Sequence, residues 1–127
     1  MSLDVFYNVY LPQLEEAKNK YKDKIKIYKG LEIEYIEGEE PFYKELLSHL
    51  DYMNLGLHFF KDKNGNIINS YWNVNHKNIL DYADVAIKGM STGLFKTLVH
   101  PDLFMFGYKL SFLLSPITFS SFFLMSF

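Results

Sequence analysis

The sequence predicts an α/β protein in which short parallel strands alternate with crossover helices, and three observations carry that prediction. Segments with apolar residues at helical spacing alternate with segments of two-residue period, in the order α, β, α, β, α, β. Connections of that length rule out hairpins, so the strands are expected to lie parallel, with helices covering the sheet. The chain of 127 residues, 49% hydrophobic and 18% aromatic, has the apolar content of one globular domain with a core.

The first helix is expected over Leu3 to Tyr21, where Leu11, Leu14, Ala17 and Tyr21 recur at helical spacing and Glu15, Glu16, Lys18 and Lys20 face water. Pro12 either kinks this helix or opens one that begins there. Residues 25 to 36, "IKIYKGLEIEYI", alternate strictly: Ile25, Ile27, Leu31 and Ile33 on one face, Glu32 and Glu34 on the other. A second helix follows in "EEPFYKELLSHL", with Pro41 in its first turn and Phe42, Leu46, Leu47 and Leu50 as its apolar stripe. "YMNLGLHFF" reads as the second strand. The Asn-Gly step of "DKNGN", residues 62 to 66, marks a turn opening a polar loop that runs to Asn75. A third helix is expected from about Val74 to Met90, with Ile79, Ala83, Ala86 and Met90 inward and Gly93 as its stop. The third strand is "FKTLVH", closed by Pro101.

Composition removes several function classes. A formal net charge of -2 gives no broad attraction to nucleic acid or to an anionic membrane. The 13 basic residues are all lysine, so the planar arginine fork that clamps phosphate is absent. With no cysteine there are no disulfides, thiolate nucleophiles or cysteine metal sites, which is compatible with a reducing cytosol. The first ten residues, "MSLDVFYNVY", do not read as a signal peptide.

Parallel α/β sheets collect reactive side chains at the carboxyl ends of their strands, and Glu32, His58 and His100 all fall at such ends. Singly, each has a plainer role: a solvated strand glutamate, a core histidine and a strand-end cap. Together, two imidazoles and a carboxylate form the donor set that zinc, iron or manganese takes. His49 and His76 lie among polar neighbours on helices and are expected at the surface. Tyr71 and Trp72 are expected to pack in the core, with a substrate-facing position as the alternative.

The segments "KYKDKIKIYKGLEIEYI", "DYMNLGLHFF" and "GLFKTLVHPDLF" resemble, in unbroken order, consecutive segments of the polymerase and histidinol phosphatase (PHP) family, in particular its histidinol-phosphatase branch. The likeness covers roughly residues 3 to 109, and "GLEIEY" with "HPDLF" carries most of it. It implies a partial distorted (β/α)7 barrel of TIM type, with a βαβα core of parallel strands over residues 1 to 109. It further implies divalent metals at the carboxyl face and a cytoplasmic hydrolase of phosphate monoesters, here L-histidinol phosphate to L-histidinol in histidine biosynthesis. By this resemblance Glu32 is the metal-bridging glutamate, His58 and His100 are histidine ligands, and Asp102 supports a ligand from behind rather than binding metal itself.

Family members also carry His-x-His on the first strand and Asp-x-His on the last, and neither motif occurs in this chain. The expectation is therefore a truncated form, dependent for a full metal set on a complementary chain or on self-association. The alternative is a catalytically inactive remnant that binds metal or a partner. A phosphoesterase acting on nucleotides or nucleic-acid ends is a third reading, disfavoured for nucleic acid by the acidic balance. Residues 110 to 127, "LSFLLSPITFSSFFLMSF", form an uncharged apolar tail outside the family pattern; their Ser and Thr content and Pro116 argue against a membrane anchor.

Overall fold

The structure, a computed structural model, describes residues 2–106. The expected tail at 110 to 127 lies outside the described residues.

The chain begins with one continuous helical run: α1 (Leu3–Val5), a π-helical stretch (Phe6–Tyr10) and α2 (Leu11–Tyr21). The π-helical stretch lies immediately before Pro12. A proline in a helix supplies no N–H and crowds the carbonyl four residues back, and a wider turn accommodates both. The Leu11 N–H accordingly reaches five residues back to the Phe6 carbonyl. Phe6 is the buried anchor of this run. No residue of α2 is fully buried, and of the expected stripe Leu11 packs against the core while Tyr21 is exposed.

Three parallel strands form the main sheet: β1 (Gly30–Ile33), β2 (Tyr52–Leu55) and β5 (Thr97–Leu98), in the order β1-β2-β5. The register places Leu31 opposite Met53, and Ile33 opposite Leu55, which in turn faces Leu98. This apolar face packs against α3 (Glu40–Ser48), with Tyr43 and Leu46 buried, and against α4 (Ile79–Ser91), with Tyr82, Ala86 and Gly89 buried. The other face carries Glu32 beside Asn54, and Asn54 beside Thr97. Among the described residues the sheet has β1 and β5 as its edges, without closure into a barrel.

The first strand is shorter than its alternation suggests. It begins at Gly30 because β2, its partner, begins at Tyr52; Ile25 and Tyr28 upstream are exposed. Two-residue periodicity needs a neighbouring strand before it becomes a ladder. "YMNLGLHFF" divides at Gly56 into β2 and β3 (Phe59–Lys61). The segment expected to be a polar loop contains β4 (Ile67–Asn69), which pairs antiparallel with β3 around the Asn-Gly turn. Gly65 at that turn has φ +82°, a conformation that glycine adopts without strain. Helix α4 starts at Ile79 rather than near Val74. Asn75 Oδ1 accepts from the Lys77 N–H and Asn78 Oδ1 accepts from the Asn75 N–H, so these side chains hold the backbone in a turn ahead of the helix.

Among the described residues no helix is long and apolar enough to cross a membrane.

Candidate metal centre

Glu32, His58 and His100 come from three consecutive parts of the sheet order. Glu32 stands within β1, His58 lies just beyond β2, and His100 follows β5. Each offers one ligand atom, and these atoms all lie within 4.8 Å of one another. His100 Nε2 is 2.9 Å from Glu32 Oε1, and His58 Nε2 is 3.3 Å from the same oxygen. The imidazole centroids are 4.9 Å apart. Side-chain exposures of 26% for His58, 35% for His100 and 40% for Glu32 leave the cluster open to a small solute.

Local sequence explains how each group arrives. Gly56 lies beneath the Glu32 carboxylate: a Cβ there would sit 2.5 Å from Glu32 Oε1, so only glycine admits the carboxylate over the end of β2. The His58 carbonyl accepts the Ser70 N–H at 2.8 Å, clamping the turn between β2 and β3 to the end of β4. His100 has φ +34°, the only non-glycine residue with positive φ among the described residues. Such a backbone costs about 1–3 kcal/mol and persists where the surroundings over-determine it. Here the Leu103 N–H donates to the His100 carbonyl and the Tyr82 hydroxyl of α4 donates to the Pro101 carbonyl, pinning the turn from below.

Beyond this trio, His58 Nδ1 is 2.9 Å from Glu34 Oε1. His58 thus stands between two carboxylates, one at each ring nitrogen. A neutral imidazole has one N–H and donates to only one of them; both are satisfied either by the imidazolium, which donates from each nitrogen, or by a cation beside the unprotonated nitrogen of the neutral ring. The two carboxylates, with neutral imidazoles, also match a divalent charge. Two donors each about 2.1 Å from one cation are about 3.0 Å apart in octahedral and about 3.4 Å apart in tetrahedral coordination, and the distances from Glu32 to the two histidines fall in that range. With all three ligand atoms within 4.8 Å of one another, the donor set could hold a divalent cation after a small inward movement of the imidazoles.

Asp102 lies exposed in the turn after His100, and among the described residues no hydrogen bond joins its carboxylate to either imidazole. Burial first, and the Asp102 charge second, push the Tyr82 phenol up to about 12. Among the described residues the buried Nδ1 atom of His100 has no hydrogen-bond partner. Tyr71 stacks on His58 at 6.0 Å with an interplanar angle of 13°, and Phe106 and Trp72 adjoin it. Trp72 is 66% exposed, which corrects the expectation that it packs in the core. His49 and His76 are exposed, as their polar neighbours suggest, but neither lies within a helix: His49 caps the end of α3 and His76 sits in the turn before α4.

Glu34 had no assigned role in the sequence, where it read as an exposed strand carboxylate. Its one available signal was position: two residues after Glu32, it shares that residue's side of the strand.

Comparison with models of protein families gives no match for this chain, and neither curated proteins nor solved structures yield one.

Proposed function

We propose that this chain is a divalent-metal phosphoesterase of the PHP type, or a section of one, with Glu32, His58 and His100 as metal ligands and zinc, iron or manganese as the cation. The observation that supports the reading best is the meeting of these three groups at the carboxyl side of three neighbouring parallel strands. In this reading the sheet is part of a distorted (β/α)7 barrel, and the face bearing Glu32 and Asn54 is turned to its interior.

A cation bound there supplies activation of water near neutral pH and neutralisation of phosphoryl charge. The chain's own residues do the rest. Glu32 contributes the negative charge that makes the cluster selective for a cation over a neutral solute, while His58 and His100 contribute neutral nitrogen donors. The Tyr71 ring, stacked on His58, walls one side of the approach. Water is the attacking group in this scheme, which requires no protein nucleophile and so fits a chain without cysteine. By the resemblance of "GLEIEY" and "HPDLF", the substrate is L-histidinol phosphate.

The test is to purify the full chain, quantify zinc, iron and manganese, and assay phosphate release from histidinol phosphate and from simpler monoesters. Stoichiometric metal with turnover supports the enzyme. Metal without turnover supports the alternative, a catalytically inactive fragment that binds metal. A chain that takes up no divalent cation and releases no phosphate overturns the enzyme and the metal-binding fragment, leaving the remnant that binds a partner.

A further inference from the structure

The geometry points to Glu34 as the residue that selects the metal-binding tautomer of His58. The inference rests on the reading of Glu32, His58 and His100 as a metal centre and adds to it how one ligand is held in its binding form.

An imidazole binds a cation through an unprotonated nitrogen, so the neutral ring must carry its proton on the opposite one. Which nitrogen keeps the proton is decided by the hydrogen bond that the outer nitrogen makes. In His58 the inner nitrogen is Nε2, facing Glu32 Oε1, and the outer one is Nδ1, 2.9 Å from Glu34 Oε1. A carboxylate only accepts, so Glu34 holds the proton on Nδ1 and leaves the Nε2 lone pair turned to the centre. Glu34 follows the last residue of β1, and its carboxylate and that of Glu32 both reach His58, so one segment delivers both a ligand and the group behind another ligand. Tyr71 lies nearly parallel to the ring, with centroids 6.0 Å apart.

His100 shows the contrast. Its Nε2 contacts Glu32 Oε1 at 2.9 Å, and among the described residues its Nδ1 has no hydrogen-bond partner, so in the metal-free neutral ring Glu32 holds the proton on Nε2, the nitrogen turned to the centre. The two histidines are therefore unequal: His58 is preset to bind through Nε2, whereas His100 has to lose its Nε2 proton or carry it on Nδ1 before it can bind. Glu34 is a positioning residue and acts through His58.

The experiment compares wild type, Glu34→Gln and Glu34→Ala in the full chain, with circular dichroism confirming that each folds. Two readouts are used: zinc affinity by competition with a chromophoric chelator, and the His58 tautomer from nitrogen-15 chemical shifts of the metal-free protein at alkaline pH. Wild type should show the proton on Nδ1. Glu34→Gln, whose amide oxygen still accepts, should keep that tautomer and lose a few-fold in affinity. Glu34→Ala should move the proton to Nε2, next to Glu32, and lose about 10–100-fold, the usual effect of removing such a partner. An unchanged tautomer in Glu34→Ala overturns the inference, whether or not zinc binds. A shifted tautomer in a wild type and variants that bind no zinc supports the role of Glu34 and rejects the metal centre, so the two failures are distinguishable.

Discussion

His100 Nε2 lies 2.9 Å from Glu32 Oε1, although 68 residues separate them and β2 stands between their strands in the sheet. The contact spans the width of the sheet at its carboxyl side, and His58 reaches the same oxygen from the end of the middle strand. One carboxylate oxygen is thus the common point of all three segments.

That convergence makes metal content the first measurable consequence. Glu32→Ala, His58→Ala and His100→Ala should each lower zinc affinity by at least about tenfold, while His49→Ala and His76→Ala leave it unchanged. Wild type should melt higher with zinc and return to its metal-free melting temperature on adding a chelator; at a hundredfold excess over Kd the stabilisation is about 2.7 kcal/mol. Calorimetry checks both. Equal affinity in the His49 and His100 variants would place the bound ion elsewhere.

Gly56 offers a test of position that changes no donor. Gly56→Ala puts a methyl group 2.5 Å from Glu32 Oε1. The carboxylate must swing away, so zinc affinity should fall by about tenfold or more, the scale on which ligand orientation acts. The circular dichroism spectrum should stay that of the folded chain. An affinity equal to wild type would show that Glu32 does not bind from its observed position.

The backbone at His100 gives a stability prediction of unusual sign. Alanine keeps the steric penalty of φ +34°, and glycine removes it. His100→Gly should therefore be as stable as His100→Ala or more stable by up to about 1 kcal/mol, against the ordinary cost of glycine. Urea unfolding of the metal-free variants decides it; a His100→Gly protein clearly weaker than His100→Ala would show that the turn is not strained.

Tyr82 sets an alkaline limit. Burial holds its phenol at about 12 against an ordinary 10.0. Below pH 10 both native and unfolded chains keep the proton, so the contribution is complete. Between 10 and 12 the unfolded chain releases its proton first; the native state then binds more protons, and stability falls as pH rises. The full effect is on the order of 2–3 kcal/mol. Tyr82→Phe, which has no proton to lose, should show a shallower decline between pH 10 and 12 in urea unfolding, although it starts lower for want of the hydrogen bond to Pro101. Parallel declines would assign the alkaline loss to other groups.

Much of this molecule is written in local pattern. The alternation around Glu32, the apolar stripe of α3, the Asn-Gly turn and the run of β5 into His100 and Pro101 are each properties of a few neighbouring residues, and they determined an α/β order with parallel strands and the three candidate ligands. Local pattern failed where pairing or side-chain competition decides. Residues 25 to 29 alternate but have no strand beside them; "YMNLGLHFF" divides into β2, which pairs with β1, and β3, which pairs with β4; α4 waits for the asparagines before it. Only the tertiary structure decided that Glu32 and His100 share a contact, that His100 takes a positive φ, and that Glu34 stands behind His58. The physical reason is that a strand's sequence encodes which side each residue takes, whereas distances between groups from different strands are set by sheet register and by the turns that follow each strand, which no single segment contains.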